Sequence, residues 1–111
     1  MITALSFAVL VSAAAMDMET NRVAYNNCLV EFTSTHLDQK TGLSVFRPVA
    51  KEACSSERDA LVAAIKKDEL EFGSTNQEAT DYAVEEAGNV LFFYIDAYNG
   101  YLNSNTRPVK E

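Results

Sequence analysis

Residues 75–101 read TNQEATDYAVEEAGNVLFFYIDAYNGY, and this stretch decides the fold class. Thr75 and Glu78 have the spacing of a capping box, in which each side chain accepts a hydrogen bond from the other residue's backbone amide at a helix N-terminus. Apolar residues then recur every three or four positions, which is the spacing of one helix face. The stretch predicts a long helix with this buried stripe: Ala79, Tyr82, Ala83, Ala87, Val90, Leu91, Tyr94, Ala97, Tyr98 and Tyr101.

The middle of this helix is apolar or aromatic at every position from 90 to 95. A helix that is apolar on all sides lies either at the centre of a fold or in an interface with a partner. The tyrosine stripe suits core packing, but Phe92, Phe93 and Ile95 lie off it, and one small core cannot take all of these side chains. The candidate interaction surface therefore comprises Phe92, Phe93, Tyr94, Ile95, Tyr98 and Tyr101.

Two more amphipathic segments precede this helix. The first covers residues 21–37 and has these residues on one face: Tyr25, Cys28, Leu29, Phe32 and His36. Their spacing of three and four is that of a helix and not of a strand. The polar run 38–42 ends in Gly42, which is typical of a helix exit.

The second segment predicts one helix, from residue 44 or 47 to about residue 72. Pro48 belongs in a first turn, where no amide hydrogen bond is lost, and Gly73 suits the position after a helix end. Carboxylates fill the last turn, where the helix dipole favours cations. We therefore expect the helix to fray after Lys67, unless tertiary contacts hold its end.

Cys28 and Cys54 are the only cysteines. Their midpoint, residue 41, lies in the predicted turn, so an antiparallel hairpin would bring them side by side on the apolar faces of its two helices. This agreement predicts a structural disulfide in an exported chain. In a reducing compartment the same residues would be two buried thiols.

Residues 1–15 carry no charged side chain, and residues 4–11 are almost continuously apolar. That run is shorter than the roughly 20 residues that span a bilayer, and it matches the apolar region of a signal peptide. Ala13 and Ala15 are small, as signal peptidase requires, which predicts cleavage before Met16. No Lys or Arg precedes the run, which a misplaced start codon would explain. The alternative is an N-terminal apolar helix packed on the domain.

A chain of 111 residues suits one domain, and its formal charge of -7 repels nucleic-acid phosphates and anionic lipid headgroups. The sequence therefore predicts no nucleic-acid partner and, after signal cleavage, no membrane partner. Four-ligand zinc sites need more cysteine and histidine than the chain has, and no EF-hand loop occurs. No metal and no other cofactor is expected.

His36 is the only histidine and the first candidate for acid–base chemistry. Its place near the end of the first helix, where the dipole favours a cation, accounts for it without a catalytic role. Adjacent carboxylates such as Glu85 and Glu86 point about 100° apart on a helix, which suits a solvated face better than an acid–base pair. No nucleophile motif occurs, so no catalytic residue is predicted.

Three short patterns follow one another along the chain: Tyr25-x-x-Cys28, Ala53-Cys54-x-x-Glu57-Arg58-x-x-Leu61, and the tyrosines of the third helix. In this order they resemble small, uncharacterised exported two-cysteine helical proteins of alphaproteobacteria. The resemblance covers most of the chain after residue 15 and implies a periplasmic or secreted helical domain. It implies no activity.

These observations predict an all-α protein with a signal peptide (1–15), a helical domain (16–104) and a flexible tail (105–111). The domain is expected to be a small three-helix bundle, in which a disulfide joins the first two helices as an antiparallel hairpin. We expect a non-enzymatic module that binds a protein partner, or itself, through the aromatic third helix. The alternative is a carrier of a small apolar ligand, with a pocket between helices lined by Phe32, Leu61, Val90 and Tyr94. An enzyme would need His36 and a carboxylate to meet in one cleft.

Overall fold

The computed structural model describes residues 17–111, and 81% of them are helical. The helices are α1 (Met18–Asp38), α2 (Leu43–Glu52), α3 (Ser55–Glu71) and α4 (Asn76–Ser104). The described range contains no strand, and the all-α prediction is confirmed. None of its helices is long and apolar enough to cross a membrane. The predicted signal peptide lies outside the described residues.

The predicted count of three helices is corrected to four within residues 17–111, because the second predicted helix is divided into α2 and α3. At the division, Ala53 is extended with ψ 150° and Cys54 is left-handed with φ 57° and ψ 36°. An α-helix accommodates neither conformation. Residues 49–54 contain no glycine or proline, so local rules do not predict this break. It lies at the residue that the disulfide joins to α1.

Two details near the connection between α1 and α2 also differ from the predictions. Pro48 lies inside α2 and not in its first turn, so it has no amide to donate to the carbonyl of Ser44. Gly42 precedes α2 as an ordinary extended residue with φ -71°. The left-handed residue after α1 is Lys40, with φ 54°, so the helix exit expected at Gly42 falls two residues earlier.

α3 continues to Glu71, so the expected fraying after Lys67 is wrong. Gly73 has φ +100°, and the amide of Ser74 donates to the carbonyl of Glu69 at 3.1 Å. This Schellman closure satisfies carbonyls at the end of the helix, and it confirms Gly73 as the residue after the helix end.

The capping box at the start of α4 is confirmed. The Glu78 amide donates to the Thr75 hydroxyl at 3.1 Å, and the Thr75 amide donates to the Glu78 carboxylate at 3.0 Å. These two bonds satisfy amides that the first turn leaves without a helical partner.

Cys28 in α1 is disulfide-bonded to Cys54, with a Cα–Cα distance of 6.1 Å. Further along the same pair of segments, the Phe46 ring lies 5.8 Å from the Phe32 ring and 5.7 Å from the His36 ring. Residues 43–54 therefore run antiparallel to α1, and the predicted disulfide is present.

The core forms where α1, α2 and α3 contact α4. Phe46 of α2 stacks on Tyr98 of α4 with ring centroids 3.9 Å apart, and the Tyr98 hydroxyl donates to the Thr41 carbonyl at 2.6 Å. The largest fully buried side chains are Tyr25, Leu29, Thr33, Phe46, Leu61 and Tyr98.

Residues 105–111 lie along α1 and make polar contacts with it. Arg22 donates to the Glu111 carboxylate at 2.7 Å, and the Glu111 amide donates to Asn27 at 2.9 Å. The hydrogen bonds from Arg22 lower the pKa of the Glu111 carboxyl below its usual value. Arg107 and Lys110 also pair with carboxylates of α1. The flexibility of this tail stays a prediction.

Candidate interaction surface

The six residues of the predicted interaction surface divide into a buried and an exposed group. Tyr94, Ile95 and Tyr98 belong to the core, with exposed fractions of 4%, 4% and 0%. Tyr101 is partly buried and packs against that core. Ile95 was expected to lie off the buried stripe, but it belongs to the core.

Phe92 and Phe93 are the exposed pair, with half or more of each side chain exposed: 50% and 58%. The Phe93 ring lies 5.0 Å from the buried Tyr94 ring in an edge arrangement. The Phe92 ring lies beside Gly88, since a Cβ atom added there would be 3.8 Å from Phe92 Cε2. Each ring therefore has one supported side and one side open to solvent.

The neighbours of these rings on the solvent side of α4 recur at intervals of three and four residues, the spacing of side chains that meet on a helix. We call this surface the α4 face and define it by Glu85, Gly88, Asn89, Phe92, Phe93 and Asp96. Asp96 lies one helical turn from both phenylalanines, and Glu85 lies two turns away on the other side. The surface is an aromatic patch between two carboxylates.

The buried tyrosines of α4 are hydrogen-bond donors. The Tyr94 hydroxyl donates to Asn26 in α1, and Tyr98 donates to the backbone between α1 and α2. Burial raises the pKa of both phenols above the usual value. They are neutral at physiological pH, and they join α4 to the other helices.

His36 has no carboxylate partner among the described residues. Its Nδ1 atom lies 2.9 Å from the Thr41 hydroxyl, and its ring lies 4.6 Å from the Phe32 ring. The nearby Asp38 pairs with Arg107 instead. The absence of a catalytic role stays a prediction.

A cavity of about 410 Å³ and one of about 360 Å³ open on the described surface. The larger is a shallow surface of α3 alone, whereas the smaller lies between α1, α3 and α4. The lining of the smaller cavity includes Leu61 and Val90 of the predicted pocket but not Phe32 or Tyr94. Its remaining lining residues are Met18, Glu19, Arg22, Ile65, Glu86 and Asn89.

One group of metal-ligand side chains occurs within residues 17–111, formed by Cys28, Cys54 and Glu57. Both sulfur atoms belong to the disulfide, so the group offers no thiolate to an ion.

Exposed apolar side chains that sequence reasoning missed lie outside the predicted surface. Phe72, after α3, is 86% exposed, and Val45 and Val49 on α2 are 56% and 39% exposed. The α2 residues occur four positions apart, which was a signal that they share a helix side.

Comparisons with known proteins found no similar protein. No family model, no curated protein and no solved structure matches the chain.

Proposed function

We propose that this chain is an exported, non-enzymatic module that binds a protein partner through the α4 face. The observation that carries the proposal is the exposure of Phe92 and Phe93, adjacent residues on a helix in which Tyr94 and Tyr98 are buried. Aromatic side chains are enriched where proteins associate, and adjacent exposed rings are costly to leave in water.

Covering the exposed parts of Phe92 and Phe93 with a partner would contribute to the free energy of binding. A phenylalanine buries about 200 Å² when fully covered, so covering the exposed half of each ring removes roughly 100 Å² from water. At about 25 cal/mol per Å², the two rings contribute about 5 kcal/mol before the costs of association. That magnitude suits an anchor in a transient complex.

The experiment that tests the proposal is affinity isolation from the native compartment with two matched variants. Phe92→Ser/Phe93→Ser removes the patch, and Phe72→Ser removes an exposed phenylalanine at another site. We expect wild type and Phe72→Ser to retain the same partner, and Phe92→Ser/Phe93→Ser to lose it by at least tenfold. Equal retention by all three proteins would contradict the proposal.

A folding control separates loss of binding from loss of structure. The covered half of each ring is also about 100 Å², so by the same estimate the double replacement lowers the free energy of unfolding by at most about 5 kcal/mol, and binding is compared at a temperature at which all three proteins are folded. Thermal unfolding of all three proteins provides this check. A photo-reactive residue at position 93, compared with one at position 72, then identifies the protein in contact.

Export is part of the same proposal, supported by the Cys28–Cys54 disulfide, because such bonds persist in oxidising compartments. Intact mass spectrometry of protein from the periplasm, with and without reduction and alkylation, tests it. We expect the mass of residues 16–111 less two hydrogens, with alkylation only after reduction. A full-length mass with two freely alkylated thiols would contradict export.

The second candidate function is carriage of a small apolar ligand, favoured by the cavity of about 360 Å³ beside Leu61, Ile65 and Val90. That volume lies within the usual range for small-molecule sites. Native mass spectrometry of freshly isolated protein tests it. A ligand that co-purifies with wild type and is lost from Val90→Trp supports carriage, whereas an apo mass for wild type argues against it.

A further inference from the structure

The cavity of about 360 Å³ between α1, α3 and α4 has an apolar inner wall. Leu61 and Ile65 of α3 line it although they are only 1% and 4% exposed, and the partly buried Val90 lines it from α4. Met18, the first residue of α1, completes the apolar part of the lining. An alkyl chain placed there would cover apolar surface from three helices.

The polar residues that line the same cavity are mostly acidic. Glu19 and Glu86 carry carboxylates, Asn89 carries an amide, and Arg22 is the one base among the lining residues. The lysines of α3 line the larger cavity instead. The balance of charge around the smaller cavity therefore depends on what Arg22 binds.

Arg22 is already neutralised by two carboxylates. It donates to Glu19 at 2.7 Å and 3.0 Å, and to Glu111 at 2.7 Å and 2.8 Å. These bonds use four of the five N–H donors of the guanidinium, so little capacity remains to bind an anionic ligand.

The Glu86 carboxylate is the charge at the cavity that has no counter-ion. It takes part in no ion pair within residues 17–111, and the one hydrogen bond found for it there, from the Asn89 amide, is long at 3.4 Å. Residues 1–16 carry no charged side chain that could pair with it. Glu86 is partly buried and lies one helical turn from Val90, so an unpaired negative charge adjoins the apolar wall.

We infer that this cavity binds a small amphiphile that has an alkyl chain and a protonated amine. The alkyl chain covers Leu61, Ile65 and Val90, and the ammonium group lies at the rim beside Glu86. Because the rim is open to solvent, the ammonium group keeps part of its water shell, and the ion pair forms without the full cost of burying two charges.

The same charge disfavours fatty acids, since their carboxylate would lie next to Glu86 at a rim that also carries Glu19. The proposal rests on the second candidate function, carriage of a small apolar ligand, and names the class of ligand that is carried.

Isothermal titration calorimetry with three probes of equal chain length tests this ligand class. Octylammonium, octanol and octanoate carry a positive, a neutral and a negative head group on the same alkyl chain. We expect wild type to bind octylammonium most tightly and octanoate most weakly. Lengthening the amine from hexyl to octyl should tighten its binding roughly tenfold, because two more CH₂ groups leave water.

Glu86→Gln tests the ion pair, and Glu52→Gln, an exposed acid that does not line the cavity, is its matched control for net charge. A partly exposed ion pair contributes up to about fivefold in affinity. We expect Glu86→Gln to weaken octylammonium binding about fivefold and to leave octanol binding unchanged, and Glu52→Gln to change neither. Octanoate binding to wild type as tightly as octylammonium, or equal octylammonium binding by the two variants, would overturn the inference.

NMR of the wild-type protein locates the bound chain without a variant that has to fold. We expect octylammonium to shift the methyl signals of Leu61, Ile65 and Val90, and to leave those of Val45, which is exposed on α2, unchanged. Shifts that leave out all three cavity residues would show that the amine binds elsewhere, which would also overturn the inference.

The same titrations separate the choice of ligand class from the candidate function on which it rests. If octanol and octanoate bind in the cavity as tightly as octylammonium, carriage of apolar ligands stands and the selection of an amine fails. If none of the three probes binds wild type at about 1 mM, both fail.

Discussion

Removing the disulfide tests both what stabilises this fold and why α2 and α3 are separate helices. The bond closes a sequence separation of 26 residues. In the chain-entropy model, a loop of that length contributes about 3.5 kcal/mol, which is a large share of the roughly 5–10 kcal/mol expected for a domain of this size. Cys28→Ala/Cys54→Ala should therefore lower the melting temperature by roughly 15 °C or more.

The left-handed backbone at Cys54 makes a second variant informative. Its φ of 57° costs a residue with a Cβ atom about 1 kcal/mol, whereas glycine adopts it freely. The stacking of Phe46 on Tyr98 does not involve either cysteine, so we expect α2 to keep its orientation when the bond is absent. We therefore expect Cys28→Ala/Cys54→Gly to be about 1 kcal/mol more stable than Cys28→Ala/Cys54→Ala.

Urea unfolding followed by circular dichroism measures both differences, with the oxidised wild type as reference. If the break depended on the disulfide alone, its loss would join α2 and α3 into one continuous helix. Glycine inside that helix would be about 1 kcal/mol worse than alanine, so the order of the two variants would reverse. A reversed order, with higher helicity for the alanine variant, would refute the reasoning.

Four further predictions concern the helix ends, the core and the tail. Thr75→Ala removes the cap of α4 and should lower the free energy of unfolding by about 1 kcal/mol in urea, with the exposed Thr20→Ala as control. Tyr25→Phe should leave stability unchanged or raise it by up to about 1 kcal/mol, because the buried hydroxyl has no hydrogen-bond partner among the described residues; a clear loss would contradict this. Burial raises the pKa of Tyr94, so the unfolded chain releases that proton first, and stability should fall as the pH rises above about 10. Tyr94→Phe should flatten that decline. Truncation after Asn105 should cost about 1 kcal/mol at low salt and less at high salt, because exposed ion pairs contribute little; failure to fold would show that the tail matters more.

Part of the interaction surface was predictable from spacing and part was not. The exposure of Phe92 and Phe93 follows from a helix with more apolar side chains than one core can bury. Ile95 is also apolar, but it is 4% exposed and belongs to the core. Periodicity shows how many helix sides are apolar, but it does not show which sides receive a second neighbouring helix.

The helix ends show what local sequence rules can establish about this protein. The capping box of Thr75 and Glu78 and the turn at Gly73 were predictable because their hydrogen bonds join residues within one turn of each other. The pairing of Cys28 with Cys54 was also predictable, since it needs only the position of a turn and the apolar side of each helix.

The division between α2 and α3 and the burial of Ile95 came from tertiary packing. Residues 49–54 carry no helix breaker, and the left-handed backbone at Cys54 costs energy locally. That cost is offset where the disulfide holds Cys54 beside α1 while Phe46 stacks on α4. At this break, contacts between residues far apart in the chain outweigh the local preference for a continuous helix. The pattern within one segment does not predict such contacts.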